Sequence, residues 1–246
     1  MGVMAIIIAC GKEEEIAPGT EAAFLPMGSG PILSHSLKTL EDTPCINSVV
    51  VVVAKDRVDS SIQVIRRFGC TKVRGVVVGG VNRMSSLRTV FSKVKTEPSV
   101  VVIHEASRPF ISQDVLTETV KSAKRYGCSI AAHKIEDAAK FSPKGLRVAE
   151  TLDRNTVWAA QTPQAFKTSV LLDIIDTRNK GLKLIDDESA FVPEPAETHM
   201  VEAGSSNMKI RTRHDLEMAA ALFHAKLVGV NQKVILRESK MPAVMI

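Results

Sequence analysis

"VVVVVAKDRVDSSIQVIRRFGCTKVRGVVV", Val49 to Val78, reads as a strand, a helix and a second strand in succession. Val49 to Val53 is five β-branched residues without a polar interruption, the pattern of a strand buried on both faces of a parallel sheet. Val58 to Phe68 carries a helical pattern closed by Gly69, and Val76 to Val78 begins the next strand. Two parallel strands need a crossover between them, so the stretch is a βαβ unit with the usual right-handed connection. The same rhythm extends outward in both directions. Ile6 to Ile8 and Val100 to Ile103 are further buried strands, and helices are expected at Pro31 to Leu40, Met84 to Val94 and Gln113 to Tyr126, the last closed by Gly127. The fold class is therefore α/β, a doubly wound and mostly parallel sheet.

After about residue 128 the rhythm changes. Ser129 to His133 can be another strand, but Ala139 to Thr156 alternates poorly and holds the turn signal Ser142-Pro143-Lys144-Gly145. A hairpin arm projecting from the sheet over about 138–156 is expected. The chain then returns through Gln161-Thr162-Pro163-Gln164 to a helix from about Lys167 to Thr177. A short helix capped by Asp186, a strand near His199 to Glu202 and an amphipathic helix from about Thr212 to Leu227 follow. This gives a single domain over 1–229 and a C-terminal tail over 230–246.

Composition narrows the function classes. The 246 residues, 45% of them apolar, suit one large domain with a substantial core. A net charge of +5 scattered along the chain, with one Trp and one Tyr, argues against a nucleic-acid surface. Cys10, Cys45, Cys70 and Cys128 form no ligand spacing and fit a reducing, cytoplasmic setting. Met1 to Cys10 reads as a buried first strand rather than a leader, and no apolar run approaches the roughly 20 residues of a membrane span.

In an open parallel sheet, ligands bind beyond the carboxyl ends of the strands. Three loops converge there: Ala9 to Gly11, Gly79 to Arg83, and His104 to Pro109. The first resembles a phosphate-binding turn, yet the segment from Lys12 to Ala22 has one lysine against Glu13, Glu14, Glu15 and Glu21. Two like charges 4 Å apart cost about 4 kcal/mol at an effective dielectric near 20. Three adjacent glutamates do not point one way, so the segment reads as a mobile, solvated acidic loop rather than a Mg²⁺ cage. Arg83 is read as fixing its own loop.

The succession "GGVNRMSSL", "VVIHEASRPF", "ETLDRNTVWAAQTPQAF", "DDESA" and "VEAGSSNMKIRTRHDL" strongly resembles the 2-C-methyl-D-erythritol 4-phosphate cytidylyltransferase family and its polyol-phosphate relatives. The likeness runs in order over nearly the whole chain. It implies transfer of CMP from CTP to a small polyol phosphate with release of pyrophosphate, a step of isoprenoid biosynthesis, with Mg²⁺ as cofactor and a homodimer whose arms pack on the second subunit. By this resemblance Ala9, Cys10 and Gly11 lie under the nucleotide. Gly80 and Ser86 contact the base or ribose, and Ala106 lines the base pocket. Arg108 and Arg154 face the polyol phosphate, Thr162 adds a hydroxyl contact, and Lys209 lies near the attacked phosphate, with Lys209 and Arg154 as the catalytic pair.

The departures from the family pattern are specific. A gap-free count back from Phe24-Leu25 puts Glu15 and Ala22 where the family has an arginine and a lysine on the triphosphate. Glu105 replaces an Asp and could reach Mg²⁺ through water; Val81 replaces a polar or acidic residue, and Ala138 replaces a Thr on the acceptor side. These keep a second reading open, a relative that binds a nucleotide, sugar phosphate or protein without turnover. A dinucleotide-dependent oxidoreductase is disfavoured, because the first turn lacks G-x-G-x-x-G and no acidic residue ends the second strand.

Overall fold

Val3–Ala9 (β1) is buried at all seven positions, and its side chains divide between the two faces of one sheet. Val3, Ala5, Ile7 and Ala9 join one apolar cluster, whereas Met4, Ile6 and Ile8 join another. That division is why the strand shows no polar alternation. Each valine, methionine or isoleucine among them contributes about 1.5–3 kcal/mol on leaving water, before the entropy of ordering is set against it.

The computed structural model describes residues 2–11, 14–80, 82–94, 97–177 and 187–227. Numbered along the chain, the other sheet strands are Ser48–Val53 (β2), Val73–Val78 (β3), Val100–Glu105 (β4), Gly127–Lys134 (β5), Trp158–Lys167 (β6) and Glu197–Glu202 (β7). They lie side by side in the order β7-β5-β6-β4-β1-β2-β3. All neighbours are parallel except β6, which runs antiparallel to both β4 and β5.

Helices cover both faces, as the alternation of elements requires. Ile32–Asp42 (α1) and Gln113–Tyr126 (α4) place Leu33, Leu37, Leu116 and Val120 on one face, beside Val64 and Ile65 of Val58–Arg67 (α2). Arg83–Lys93 (α3) and Thr168–Thr177 (α5) place Leu87, Val90, Leu171 and Ile174 on the other. Arg213–Leu227 (α6) belongs to a third, smaller cluster, where Leu216, Ala219 and Phe223 meet Ala22, Met27, Ile32, Phe110 and Ile210. Gly69 and Gly127 close α2 and α4 at φ +62° and +107°, the left-handed region glycine enters without strain.

Three expectations change. The Gln161 to Gln164 return, given no element from sequence, is part of β6, near the middle of the sheet, and its pairing with β5 shifts register between Gln161 and Gln164. Pro163 has no N–H to give the ladder, so a shift there is physically expected. Over its described residues, 14–22, the first loop is not a solvated acidic segment; Lys12 and Glu13 lie outside the described residues. Glu15–Ala17 pairs with Thr20–Glu21, Glu14 and Glu21 are buried, and Glu21 accepts from the Arg57 guanidinium, with Nη2 3.0 Å away. Ala22 is fully buried in the third cluster, so that position is no seat for a cation over a triphosphate. The short helix at Asp186 and the tail after 229 lie outside the described residues; Glu188–Phe191 is a single 3-10 turn capped by Asp187.

A hairpin is present in the expected segment. Lys140–Phe141 pairs antiparallel with Glu150–Thr151, and Phe141, Leu146 and Val148 are exposed on it. Among the described residues, no helix is long and apolar enough to cross a membrane.

Candidate active site

The site forms at the carboxyl ends of β1, β3 and β4, where the chain leaves an apolar strand and must immediately satisfy its polar atoms. At the end of β4, His104 is fully buried. Thr162 Oγ1 accepts from the Glu105 N–H at 3.0 Å and stands 3.2 Å from His104 Nδ1; His104 Nε2 stands 3.1 Å from the Arg108 carbonyl. A carbonyl can only accept, so Nε2 carries the proton and Nδ1 takes the threonine's hydrogen. Burial pushes the His104 imidazole down to about 4, which keeps it neutral at pH 7. His104 thus braces the loop after β4 against the bulge of β6, and Thr162 has its one proton engaged there.

Glu105 is the hub of the charged groups. Its Oε1 is 2.7 Å from Lys209 Nζ, its Oε2 is 2.7 Å from Arg108 Nε, and Arg83 Nη1 stands 3.6 Å from Oε1. Burial acts to raise this carboxyl, but Lys209, Arg83 and Arg108 outweigh it and hold Glu105 well below the usual carboxylate range. Lys209 is positioned by its own segment. Asn207 Nδ2 donates to Gln161 Oε1 and to the Thr162 carbonyl, the Asn207 carbonyl accepts from Arg108 Nη1, and the Ile210 N–H bonds the Ser107 carbonyl.

Arg83 is as buried as the hub and ties the far side. Its Nε is 2.9 Å from Glu188 Oε2, an ion pair off the line of a hydrogen bond, and its Nη2 donates to Gln164 Oε1. Gln164 Nε2 in turn donates to Asp187. This matches its reading as a residue that fixes the loop.

Glu14 enters this cluster from the first loop. Its Oε1 is 3.1 Å from Lys209 Nζ, and its Oε2 accepts from the Ser107 N–H at 3.3 Å. Burial pushes its carboxyl up to about 7, aided by Glu105 and opposed by Lys209. Sequence reasoning singled out Glu15; in the structure the carboxylate that meets Lys209 is that of Glu14, while Glu15 Oε2 accepts from the Gly19 N–H at 3.4 Å.

The strand ends expected to carry the nucleotide are built from small residues. Ala9 and Ala106 are fully buried, the Ala106 N–H bonds the Ile8 carbonyl, and Gly11 takes φ +100°. A methyl on Gly79 would lie 2.4 Å from Cys10 Sγ, so only glycine lets the two loops approach. Ser86 Oγ accepts from the Gly80 N–H and donates to the Asn82 carbonyl, both at 3.0 Å, while Asn82 and Ser85 make a reciprocal capping box at the start of α3. Burial, then Glu14 and Glu21, pushes the Cys10 thiol up to about 11, so it is no nucleophile at neutral pH.

Glu105, Arg108, Thr162 and Lys209 are therefore brought together, with Ala9, Cys10, Gly11, Gly80, Ser86 and Ala106 around the neighbouring strand ends. Arg154 is not among them. It lies on the arm and donates to the Glu136 carbonyl at 3.0 Å. Ala138, with His133, Asp137 and Ser205, lines an open cleft of about 470 Å³ at the arm's base. A larger cavity of about 670 Å³ opens at the amino ends of β1 and β2 beside the end of α3, away from the charged cluster. Glu14, His104, Ser107, Asn207 and Glu188 were not singled out from sequence.

Chemically, the cluster holds fixed cations and no activated nucleophile, which suits stabilisation of charge on transferred phosphoryl oxygens. Comparison with known proteins agrees. The family model for 2-C-methyl-D-erythritol 4-phosphate cytidylyltransferase matches residues 3–225. Relatives of that name from Bacillus velezensis and Geobacillus kaustophilus are each 31% identical over 92% of this chain, covering 97% and 99% of those proteins. The fold is similar to the crystal structure of 4-diphosphocytidyl-2C-methyl-D-erythritol synthase from Anaerococcus prevotii, with a TM-score of 0.80 at 23% identity over 91% of this chain and 96% of that one. With the match spanning the sheet, the arm and the segment that carries Lys209, the chain belongs to the 2-C-methyl-D-erythritol 4-phosphate cytidylyltransferase family.

Proposed function

We propose that this chain transfers CMP from CTP to the phosphate of a small polyol, of the 2-C-methyl-D-erythritol 4-phosphate type. An oxygen of the acceptor phosphate forms a bond to the α-phosphorus of CTP, the bond from that phosphorus to the bridging oxygen breaks, and pyrophosphate leaves with the electron pair. The observation that carries the reading is Lys209, fixed between Glu105 and the loop after β4 at the mouth of the strands. Its ammonium and the Arg108 guanidinium are the charges that meet the phosphoryl oxygens, and Arg108 suits the acceptor phosphate because its fork can bind two oxygens. Cys10, Gly11, Gly80, Ser86 and Ala106 shape the nucleotide pocket.

The donor set offers no ready seat for Mg²⁺: both Glu105 oxygens are engaged by cations, and the described residues hold no group of three or more metal-binding side chains. Mg²⁺ carried in on the triphosphate would supply charge neutralisation there. The second reading, binding without turnover, gains no specific support from this cluster.

For assembly, the exposed apolar residues of the arm and Arg154 at its base support a homodimer in which each Arg154 reaches the cleft beside Ala138 of the other copy. Sedimentation at micromolar concentration should give a dimer; a monomer would refute it. The activity itself is tested by pyrophosphate release from CTP with a panel of polyol phosphates, and absence of release with all of them would sink the assignment.

A further inference from the structure

Lys209 Nζ and the Ser107 N–H face the same carboxylate, that of Glu14, which is 2% exposed. An ammonium beside a backbone N–H is the donor set that binds a phosphoryl group. A third donor stands beside them. Ser107 is fully buried, and its hydroxyl lies near enough to the Glu14 carboxylate to favour its charged form but makes no well-aligned hydrogen bond among the described residues. Glu14 engages the other two donors, Oε1 facing Lys209 and Oε2 the Ser107 N–H, and in this pose the hydroxyl is not aligned on either oxygen. Buried hydroxyls are seldom left without a partner. A phosphoryl group brings a third oxygen, and so could satisfy all three donors at once.

We propose that Lys209 and Ser107 form a phosphoryl seat that Glu14 occupies in the resting protein, so that Glu14 is a built-in competitor which the substrate must displace. The proposal rests on the cytidylyl-transfer reading for the identity of the arriving phosphate, but not for the existence of the seat. It also explains how an acidic first loop is accommodated. Glu14 docks on the cation a phosphate would use, and its own backbone N–H is tied to the Gly11 carbonyl at 2.9 Å, which leaves the carboxylate as the part that must leave.

The test uses two variants, with CTP in Mg²⁺ and inorganic pyrophosphate as separate probes in calorimetric titrations. Glu14→Gln keeps the shape and removes the charge, and should bind both probes about tenfold more tightly or better, the scale of one charge-assisted hydrogen bond. Ser107→Ala removes only the hydroxyl, keeps the Lys209 ion pair and the backbone N–H bond to Glu14, and should weaken both probes several-fold. Thermal melting reports whether each variant is folded; if Glu14→Gln is not, Ser107→Ala decides alone. Unchanged or weaker binding in folded Glu14→Gln, or unchanged binding in Ser107→Ala, overturns the seat. If pyrophosphate binding responds as stated while no polyol phosphate supports turnover, the seat stands and the cytidylyl-transfer reading fails. If turnover is normal and neither variant is altered in affinity, the seat fails and the cytidylyl-transfer reading stands.

Discussion

Replacing Glu14 by Gln should change how stability depends on pH. Folding moves this carboxyl from its ordinary 4.5 up to about 7, chiefly through burial. Between those values the folded chain holds a proton that the unfolded chain releases, so stability falls as pH rises through the window. At about 1.4 kcal/mol per unit, Glu14 costs the parent about 2 kcal/mol more at about pH 7.5 than at about pH 5. His104 acts in the opposite sense. Burial lowers it from 6.5 to about 4, so the unfolded chain takes up a proton the folded chain refuses, and stability rises with pH until about 6.5. Glu105, held low by its three cations, loses its contribution only below the ordinary carboxylate range and stays out of this window. In the parent the two slopes largely cancel. Urea unfolding of parent and Glu14→Gln at about pH 5 and about pH 7.5 should show the variant gaining about 2 kcal/mol relative to the parent across that interval. A difference that stays constant with pH would refute the placement of Glu14 as a buried carboxyl.

Lys209→Met should slow pyrophosphate release roughly a hundred- to a thousandfold, the usual cost of one electrostatic contact to a transition state, and a smaller loss in steady-state assays would remove Lys209 from the chemistry. Gly79→Ala sets a methyl 2.4 Å from Cys10 Sγ and 3.1 Å from Val52 Cγ1, so overpacking of about 1–3 kcal/mol in thermal or urea unfolding is expected, together with weaker CTP binding. Ala22→Lys should destabilise by roughly 2 kcal/mol or more in urea unfolding, because the ammonium would be buried among Met27, Ile32 and Phe110; an unperturbed variant would mean that the position opens to the nucleotide after all.

The sheet was legible because its strands are buried on both faces, and continuous valine and isoleucine runs admit few other readings; β1, β2 and β4 were placed within a few residues. The strand β6 was not. Its segment Gln161 to Gln164 carries polar side chains and a proline, which do not read as a buried strand, and partners supplied by His133, Asp187 and Asn207, among others, make their burial tolerable. Those partners lie 23 to 46 residues away in sequence. The same limit applies at the site. Lys209, Arg108 and Glu105 could be named from their motifs, but the burial of Glu14 depends on Lys209 and Ser107 approaching from distant segments. A run of glutamates, taken alone, gives solvation as its natural state.

The balance of charge in the cluster bears on how fast a nucleotide arrives. Arg83, Arg108 and Lys209 are set against Glu14, Glu105 and Glu188. A cleft with a surplus of one sign focuses field lines outward and can speed encounter with an oppositely charged molecule by about ten- to a thousandfold. Here the fields of neighbouring cations and carboxylates largely cancel beyond a Debye length, about 8 Å at physiological salt. These six groups therefore give an arriving CTP little long-range steering of their own, and discrimination among anions at this cluster falls to the close contacts made after collision.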